Sequence, residues 1–258
     1  MESEGSPSHA GRIVLVRGGA LTRFSGLGGA HATLVDHHRA GRFAPFSLAD
    51  VVEYPVQSSA FGRLRMRWRQ HPKRVLDLSK QRFGPEDVFH ITDQEQAHLI
   101  PPRSARRPKM VVTVHDVFHL FPSSQRIALT DGKTTVGTSV VHVGDQRPGM
   151  IRKRDLKKLK AGLARADLLV CDSEHTRLRC NEAFPNVPSI CVPLGLDVEA
   201  FAPSAGREKN AAFTMLFVGS ADPRKRLSFL GRVLRTCSDD VLGQSVLHVV
   251  GDRSPEAH

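Results

Sequence analysis

The residues best suited to chemistry lie near the end of the chain, where an apolar strand precedes a glycine and two cations. The apolar run Phe213–Val218 is followed by Gly219 and then by Pro223-Arg224-Lys225. Glycine permits a tight turn, proline suits the first turn of a helix, and the open N–H groups of a helix start favour an anion. The pattern therefore predicts a diphosphate site formed by Gly219, Arg224 and Lys225.

A histidine and an aspartate form a second candidate site. His115 and Asp116 directly follow the apolar run Met110–Val114, and open α/β sheets bind ligands at the carboxyl ends of their strands. From the residues alone, ligand contact and capping of the strand end are equally good interpretations. His119 lies four residues after His115, but Pro122 follows closely and no third ligand is evident, so no metal site is expected.

A glycine-rich segment follows the first apolar run of the chain. Residues 26–31 come after Arg12–Val16, and a helix is expected over Ala32–Arg39. Glycines let the backbone approach a ligand closely, but this spacing is not the G-x-G-x-x-G dinucleotide motif. Gly28 and Gly29 are candidates for a ligand contact, and a loop without a binding role is an equally good interpretation.

Short apolar runs alternate with helical stretches along the whole chain. Several of these runs are apolar throughout, which is expected of strands in a parallel sheet that helices cover on both faces. The predicted strands are Arg12–Val16, Val88–Ile91, Met110–Val114, Leu168–Cys171, Ser189–Val192, Thr214–Val218 and Val246–Val250. The alternation predicts an α/β protein with parallel sheets.

The chain is expected to form two domains. An N-terminal domain is predicted over residues 1–200, and the polar, turn-rich stretch 201–212 is interpreted as a linker. Residues 213–258 then hold a single βαβ unit, with a helix over about residues 226–237, which is too little to cover both faces of its own sheet. We therefore expect the second domain to be incomplete. Residues 133–147 are rich in Gly, Thr and Val and are interpreted as a loop or hairpin.

The charge balance indicates a phosphate-bearing partner. Thirty-seven Lys and Arg against twenty-six Asp and Glu give a net charge of +11, which attracts nucleotides, anionic lipids and nucleic acids alike. Two stretches, Arg63–Arg69 and Arg152–Lys160, mix cations with apolar residues. A solvated helix face is the commonest meaning of such stretches, and peripheral contact with an anionic membrane is the alternative. One Trp and one Tyr leave little aromatic surface for base stacking, so nucleic-acid binding is not expected.

The compartment is expected to be the cytoplasm. The four cysteines match no paired metal-ligand spacing, and the first eleven residues contain no apolar signal-peptide core. No run approaches the roughly 18–20 apolar residues that a membrane span requires. A reducing compartment is the default for such a chain.

Taken together, the motifs resemble those of the nucleotide-sugar-dependent glycosyltransferases of family 4, which have the GT-B fold of two Rossmann-like domains. Five stretches follow the order of that family's motifs and extend over nearly the whole chain. They are Gly28-Gly29 for the first loop, Val112–Asp116 for T-x-H-D, Ala166–Ser173 for A-D-x-x-x-x-x-S, Val192–Phe201 for P-x-G-x-D-x-x-x-F, and Phe217–Lys225 for V-G-x-x-x-P-x-K.

The resemblance implies a GT-B-like fold and transfer of a sugar with retention of configuration. The donor would be a UDP- or GDP-linked sugar, and the acceptor a glycan or a lipid-linked molecule. Fixed cations would take the place of a divalent metal, so no cofactor is expected. The enzyme would work in the cytoplasm, with contact at the inner face of the membrane as a further expectation.

The resemblance also assigns roles to individual residues. Lys225, with Arg224, would neutralise the donor diphosphate as charge develops on the leaving group. His115 would contact the transferred sugar, and Asp116 would orient the site. The donor-binding set is Gly28, Gly29, Gly219, Arg224 and Lys225.

The sequence departs from the family pattern in its C-terminal part. Ser220 stands where many members have Arg, and Arg226 where they have Gly. The family's E-x7-E motif has no counterpart, because the only glutamates after the start of the linker are Glu208 and Glu256. The chain is therefore expected to be an inactive fragment of such an enzyme. The alternative is a non-catalytic module that binds phosphates or anionic membranes and derives from a GT-B domain.

Overall fold

A computed structural model describes residues 11–19, 23, 25–54, 57–81, 83–130, 135–195, 198–199, 212–219 and 225–251. The chain divides into two compact units. The first contains residues 1–122 and 144–195, and the second contains residues 123–143 and 196–258. The domain boundary near residue 200 stays a prediction.

Ten strands and seven α-helices form the described chain. The strands are β1 (Arg12–Val16), β2 (Ser47–Val52), β3 (Val88–Ile91), β4 (Lys109–Val114), β5 (Ser123–Thr130), β6 (Thr135–Val143), β7 (Leu168–Cys171), β8 (Ser189–Cys191), β9 (Phe213–Val218) and β10 (Ser245–Val250). The helices are α1 (Gly26–Arg39), α2 (Ala60–Arg65), α3 (His71–Gln81), α4 (Met150–Leu163), α5 (Glu174–Ala183), α6 (Leu227–Leu234) and α7 (Asp239–Gly243). A π-helical turn (Met66–Gln70) joins α2 to α3, and a 3-10 helix spans Gln94–Leu99.

The first unit is a Rossmann-like α/β domain. Its six strands are all parallel and lie in the order β2-β1-β3-β4-β7-β8. The predicted parallel α/β class is confirmed, and each of the seven predicted strands is present with its bounds shifted by at most one residue. No helix in the described part of the chain is long and apolar enough to cross a membrane.

The core of this domain lies along the central strands. Val14, Phe89, Val112 and Leu169 come from β1, β3, β4 and β7, and all four are fully buried. The helices add further side chains to this core, namely Val75, Leu159, Leu163 and Cys180. Each large aliphatic side chain stabilises the fold by about 1.5–3 kcal/mol when it is buried. The packing of this core therefore holds the strands in place and sets the positions of their carboxyl ends.

Side-chain caps start several helices soon after a strand ends. The hydroxyl of Ser25 accepts a hydrogen bond from the Gly28 N–H at the start of α1, and Ser173 accepts one from Thr176 at the start of α5. Asp93 caps the 3-10 helix through the Glu95 N–H. Such caps satisfy N–H groups that a helix start would otherwise leave open. They therefore place the first helical turns close to the carboxyl edge of the sheet.

The second unit contains two separate strand pairs. Strands β5 and β6 form an antiparallel hairpin, and β9 and β10 form a parallel pair. The predicted helix over residues 226–237 is shorter in the structure, where α6 ends at Leu234 and α7 follows. Phe213, Leu216 and Val218 of β9 are each about two-thirds exposed, so this strand pair buries little apolar surface in the described part.

Candidate functional site

The strand order creates a switch point at the carboxyl edge of the first unit. From β1 the chain crosses to β2 on one side, and it then returns to β3 on the other side of β1. In open α/β sheets the crevice for a ligand lies outside the carboxyl ends of the strands at such a reversal. The residues that follow β1, β3 and β4 therefore line the candidate site.

His115 follows β4 and is held by both neighbouring strand ends. Its Nδ1 lies 3.1 Å from Oδ2 of Asp172, which follows β7, and its Nε2 lies 3.1 Å from the carbonyl oxygen of Thr92, which follows β3. Its backbone N–H donates to Oε1 of Gln94 at 3.1 Å. Both ring nitrogens face oxygen acceptors, so a neutral imidazole donates to one of them and a protonated imidazole to both. The ring is thus fixed in orientation at the edge of the sheet.

His31 joins helix α1 to the same strand end. Its Nδ1 lies 2.7 Å from Oγ1 of Thr92, and the residue is only 4% exposed. Burial, with the nearby charge of Arg17, lowers the pKa of His31 to about 4, so the ring is neutral at physiological pH. Its Nε2 is buried and has no hydrogen-bond partner among the described residues. Thr92 therefore connects His31, through its hydroxyl, to His115, through its carbonyl.

Asp93 adds a buried carboxyl group at the end of β3. Burial raises the pKa of Asp93, and its carboxylate accepts a hydrogen bond from the Glu95 N–H at 2.9 Å. That bond favours the charged form, whereas burial opposes it. The side chain thus serves as a cap of the 3-10 helix beside the candidate site.

Asp116 and His119 lie in the turn after His115. Asp116 is partly buried, and its predicted orienting role stays a prediction. The ring of His119 packs against that of Phe118, with 4.2 Å between ring centroids. Within the described ranges, no group of three or more His, Cys, Asp and Glu side chains is arranged to hold a metal ion.

Gly28 and Gly29 lie inside the first turn of α1 rather than in a loop before it. The helix begins at Gly26, six residues earlier than the predicted Ala32, because the Ser25 cap stabilises its start. The Gly28 N–H donates to the Ser25 hydroxyl at 3.1 Å, and the Gly29 N–H donates to the Ser25 carbonyl at 2.8 Å. Both amides are therefore used within the helix start, and their contact with a ligand stays a prediction.

In the second unit, Gly219 and Lys225 lie against each other at the carboxyl end of β9. A Cβ placed on Gly219 would lie 3.3 Å from Cγ of Lys225, so the stem of the lysine packs across the glycine. Gly251, at the end of β10, has a φ of 133°, and a Cβ there would lie 2.0 Å from the Gly219 carbonyl oxygen. The close approach of the two strand ends therefore requires glycine at position 251.

Helix α6 starts later than the sequence pattern Pro223-Arg224-Lys225 predicts. It begins at Leu227 after Arg226, whose φ of 58° is left-handed, so Lys225 precedes the helix by two residues. Arg224, the other predicted phosphate ligand, lies outside the described residues, as does Ser220. The diphosphate-binding role of this loop stays a prediction.

The structure brings together residues that the sequence pattern did not single out. Asp172, Thr92, Gln94 and His31 all contact His115 or one of its partners. Thr92 and Asp172 directly follow predicted strand ends, which is the signal that identified His115, and Gln94 lies three residues after one. His31 carried no such signal, because its place depends on how α1 packs.

The comparisons with known proteins give no family assignment. No protein-family model matches the chain, and no curated protein matches its sequence. The established level of description is therefore the Rossmann-like α/β domain, a fold that supports many activities.

Proposed function

We propose that the protein is a GT-B-type glycosyltransferase that moves a sugar from a nucleoside-diphosphate donor to a glycan or lipid-linked acceptor, with retention. The single observation that carries the proposal is the fixed position of His115 at the carboxyl edge, between Asp172 and Thr92. This is the strand end at which the T-x-H-D motif of family 4 contacts the sugar. The order of the five motifs supports the same function.

His115 would bind the sugar through its outer ring nitrogen. Nδ1 would keep Asp172 as its partner, while Nε2 would exchange the Thr92 carbonyl for a sugar hydroxyl. A neutral ring with its proton on Nδ1 accepts a hydrogen bond from that hydroxyl, and a protonated ring donates one to it. A hydrogen bond to the sugar orients the anomeric carbon, and correct orientation accounts for a large part of the rate acceleration in group transfer. Asp116 would support this arrangement from the following turn.

Lys225 would act on the leaving group. In the proposed step the acceptor hydroxyl oxygen forms a bond to the anomeric carbon, and the bond from that carbon to the diphosphate oxygen breaks. The nucleoside diphosphate leaves with the bonding electron pair, and the hydroxyl proton passes to a phosphate oxygen. A cation placed beside the diphosphate stabilises the charge that develops there. The stem of Lys225 packs across Gly219 at the carboxyl end of β9, and the proposal puts the diphosphate beside this residue.

The proposal is tested by ligand binding and by transfer with the 258-residue chain. Thermal unfolding is followed with UDP, GDP and several of their sugar conjugates. A ligand present at a hundred times its Kd stabilises the folded state by about 2.7 kcal/mol, which is a readily measured rise in Tm. Sugar release or transfer is then followed with the ligands that bind.

Stabilisation by a nucleoside diphosphate and its sugar conjugate is the expected result, whereas no transfer is expected from the 258-residue chain, because it has no counterpart of the E-x7-E motif. Absence of any shift with all of these ligands would overturn the proposal. Salt-sensitive binding to anionic vesicles with no effect of any nucleotide would favour the non-catalytic alternative. Robust transfer by the 258-residue chain would contradict the expectation that it is inactive.

A further inference from the structure

We infer that the first unit docks on anionic lipid bilayers through an apolar groove between α2, the π-helical turn and the start of α4. The apolar residues of this surface, called here the lipid face, are Phe61, Leu64, Trp68, Met150 and Ile151. The inference does not depend on sugar transfer, since it rests on the shape, exposure and charge of this surface.

Two basic stretches that lie far apart in the sequence form one surface in the fold. The groove has a volume of about 530 Å³ and is lined by Leu64 and Trp68 on one wall and by Met150 and Ile151 on the other. Phe61, Leu64 and Trp68 are three and four residues apart, which places them on one side of the helical segment. The groove is thus continuous with a helix stripe that ends at Phe61.

The apolar side chains of the lipid face are unusually exposed. Met150 is 88% exposed, Phe61 76% and Ile151 60%. Single exposed apolar residues are common on soluble proteins, but a contiguous group around a groove indicates an interaction site. Burying these side chains in a partner would remove a large apolar area from water.

Cations border the groove on the side of α4. Met150, Arg154 and Lys158 follow one another at four-residue spacing and therefore form one row of the helix. Lys158 Nζ lies 4.8 Å from the centroid of the Trp68 ring, which shows that this row faces the groove. Helix α4 carries six Lys and Arg and a single Asp. Arg65, which follows Leu64 in α2, is also exposed.

The acidic groups near the groove are paired, so they do not offset the surface cations. Asp155, at the floor, accepts from Arg67 and from Arg152 at 2.9 and 2.8 Å, respectively. Glu95 accepts from Arg152 at 2.8 Å. The network fixes the two walls relative to each other and leaves Arg65, Arg154 and Lys158 to face an anionic partner.

A bilayer fits this combination better than a nucleic acid. Interfacial helices place apolar side chains at the boundary of head groups and acyl chains and basic side chains beside the phosphates. Single-stranded nucleic acid is held by a basic groove in which aromatic rings stack on successive bases. Three of the five side chains of the lipid face, Leu64, Met150 and Ile151, are not aromatic, and Trp68 is only partly exposed. We therefore assign the surface to an anionic membrane.

Trp68 makes the test direct, because it is the only tryptophan of the chain. The protein is mixed with phosphatidylcholine vesicles and with vesicles that contain about 30% phosphatidylglycerol, a fraction that gives a negative surface potential. We expect co-sedimentation with the anionic vesicles, a blue shift of the Trp68 emission, and quenching by lipids with brominated acyl chains. Binding weakens as salt rises from about 0.1 M to about 0.5 M.

Matched variants distinguish binding through the lipid face from nonspecific hydrophobic adsorption and from attraction by net charge. Met150→Ser/Ile151→Ser is compared with Leu178→Ser/Val192→Ser, whose residues are about half exposed elsewhere on the unit. Arg154→Glu/Lys158→Glu is compared with Lys80→Glu/Lys109→Glu, which changes the net charge equally. We expect the first member of each pair to lose at least about tenfold in vesicle affinity, or about 1.4 kcal/mol, and the second to stay within about twofold. Thermal melts show that all four variants are folded.

Three results would overturn the inference. One is the absence of vesicle binding by the unaltered protein, including the case in which it binds polyuridylate or an acidic protein instead. Another is binding without quenching of Trp68 by the brominated lipids. The third is an equal loss in the matched controls, which would assign the attraction to net charge alone.

Discussion

Nδ1 of His115 lies 3.1 Å from Oδ2 of Asp172, so two side chains 57 residues apart in the sequence meet where β4 and β7 end. The aspartate selects the face and tilt of the imidazole, in the way that carboxylates orient histidines in many sites. Thr92 restrains the other ring nitrogen from the end of β3. Three adjacent strands therefore contribute to the position of one ring.

The proposed sugar contact predicts a selective loss of binding in His115→Ala. Removal of the imidazole takes away one hydrogen bond, so affinity for the nucleotide sugar falls by about tenfold or less, the equivalent of 0.5–1.5 kcal/mol. Affinity for the free nucleoside diphosphate stays the same. Calorimetric titration of both ligands measures the difference. Asp172→Asn is expected to act in the same direction, while the exposed control Glu86→Gln has no effect. Equal losses for both ligands would count against a sugar contact.

Lys225→Ala is predicted to weaken donor binding and to slow transfer. The ammonium group matters most when the diphosphate gains charge, so kcat falls by about a hundredfold or more where transfer is measured. Affinity for UDP or GDP falls as well, and Lys225→Arg retains a large part of it. Arg235→Ala removes an exposed cation after α6 and serves as the control. A Lys225→Ala protein with normal kcat and normal affinity would refute the role.

The buried histidines predict a loss of stability in mild acid. Burial lowers the pKa of His31, His71, His90 and His98 to about 4, whereas an unfolded chain has values near 6.5. The unfolded state therefore binds more protons between pH 6.5 and 4. The stabilisation is fully present above pH 6.5 and is lost as the pH falls toward 4, by up to about 1.4 kcal/mol per pH unit for each histidine.

Denaturant unfolding at several pH values measures this dependence. His31→Gln is expected to reduce the slope of the unfolding free energy against pH by the contribution of one histidine. His175→Gln, on the exposed side of α5, serves as its control. Asp93 changes the stability with pH in the opposite sense, since burial raises its pKa. Both variants keep Asp93, so its contribution cancels when they are compared. A free energy of unfolding that is constant from about pH 7.5 to 4.5 would contradict the prediction.

The close packing of α4 on the 3-10 helix predicts that Gly162→Ala is destabilising. A Cβ at Gly162 would lie 1.9 Å from the carbonyl oxygen of Ala97, so the backbone of one element must shift. The expected cost is about 1–3 kcal/mol or more, although alanine is otherwise the better helix former. Gly26→Ala is the matched control, because a Cβ there meets nothing within 4 Å. Equal unfolding midpoints in denaturant for both variants would show that the contact is not tight.

The central strands were predictable because burial on both faces leaves a continuous apolar run. Strand β2 was missed, since its sequence Ser-Leu-Ala-Asp-Val-Val contains two polar residues and it lies at the edge of the sheet. An edge strand needs apolar residues only where it meets the rest of the sheet. The hairpin β5–β6 was anticipated only in part: residues 133–147, which contain β6, were interpreted as a loop or hairpin, whereas β5 was missed because it begins with four polar residues.

The candidate site was predictable only at single strand ends. The position of His115 follows from the rule for carboxyl ends, and the structure confirms that it follows β4. Its partners Asp172 and Thr92 depend on strand order, since β7 and β3 are the neighbours of β4. Strand order is set by long-range packing and leaves little trace in a local pattern.

The sequence by itself determined the α/β class and the parallel strands, because hydrophobic periodicity is a local property. It also identified the glycine and the lysine of the loop after β9, because the backbone freedom of a glycine is a local property as well. Only the tertiary structure decided which strand ends lie side by side, and with them the contact between His115 and Asp172. It also decided that Trp68 and Met150 line one groove, although 82 positions separate them in the sequence. The physical reason is the same in both cases: packing of a shared core brings distant segments together, and no local pattern records its outcome.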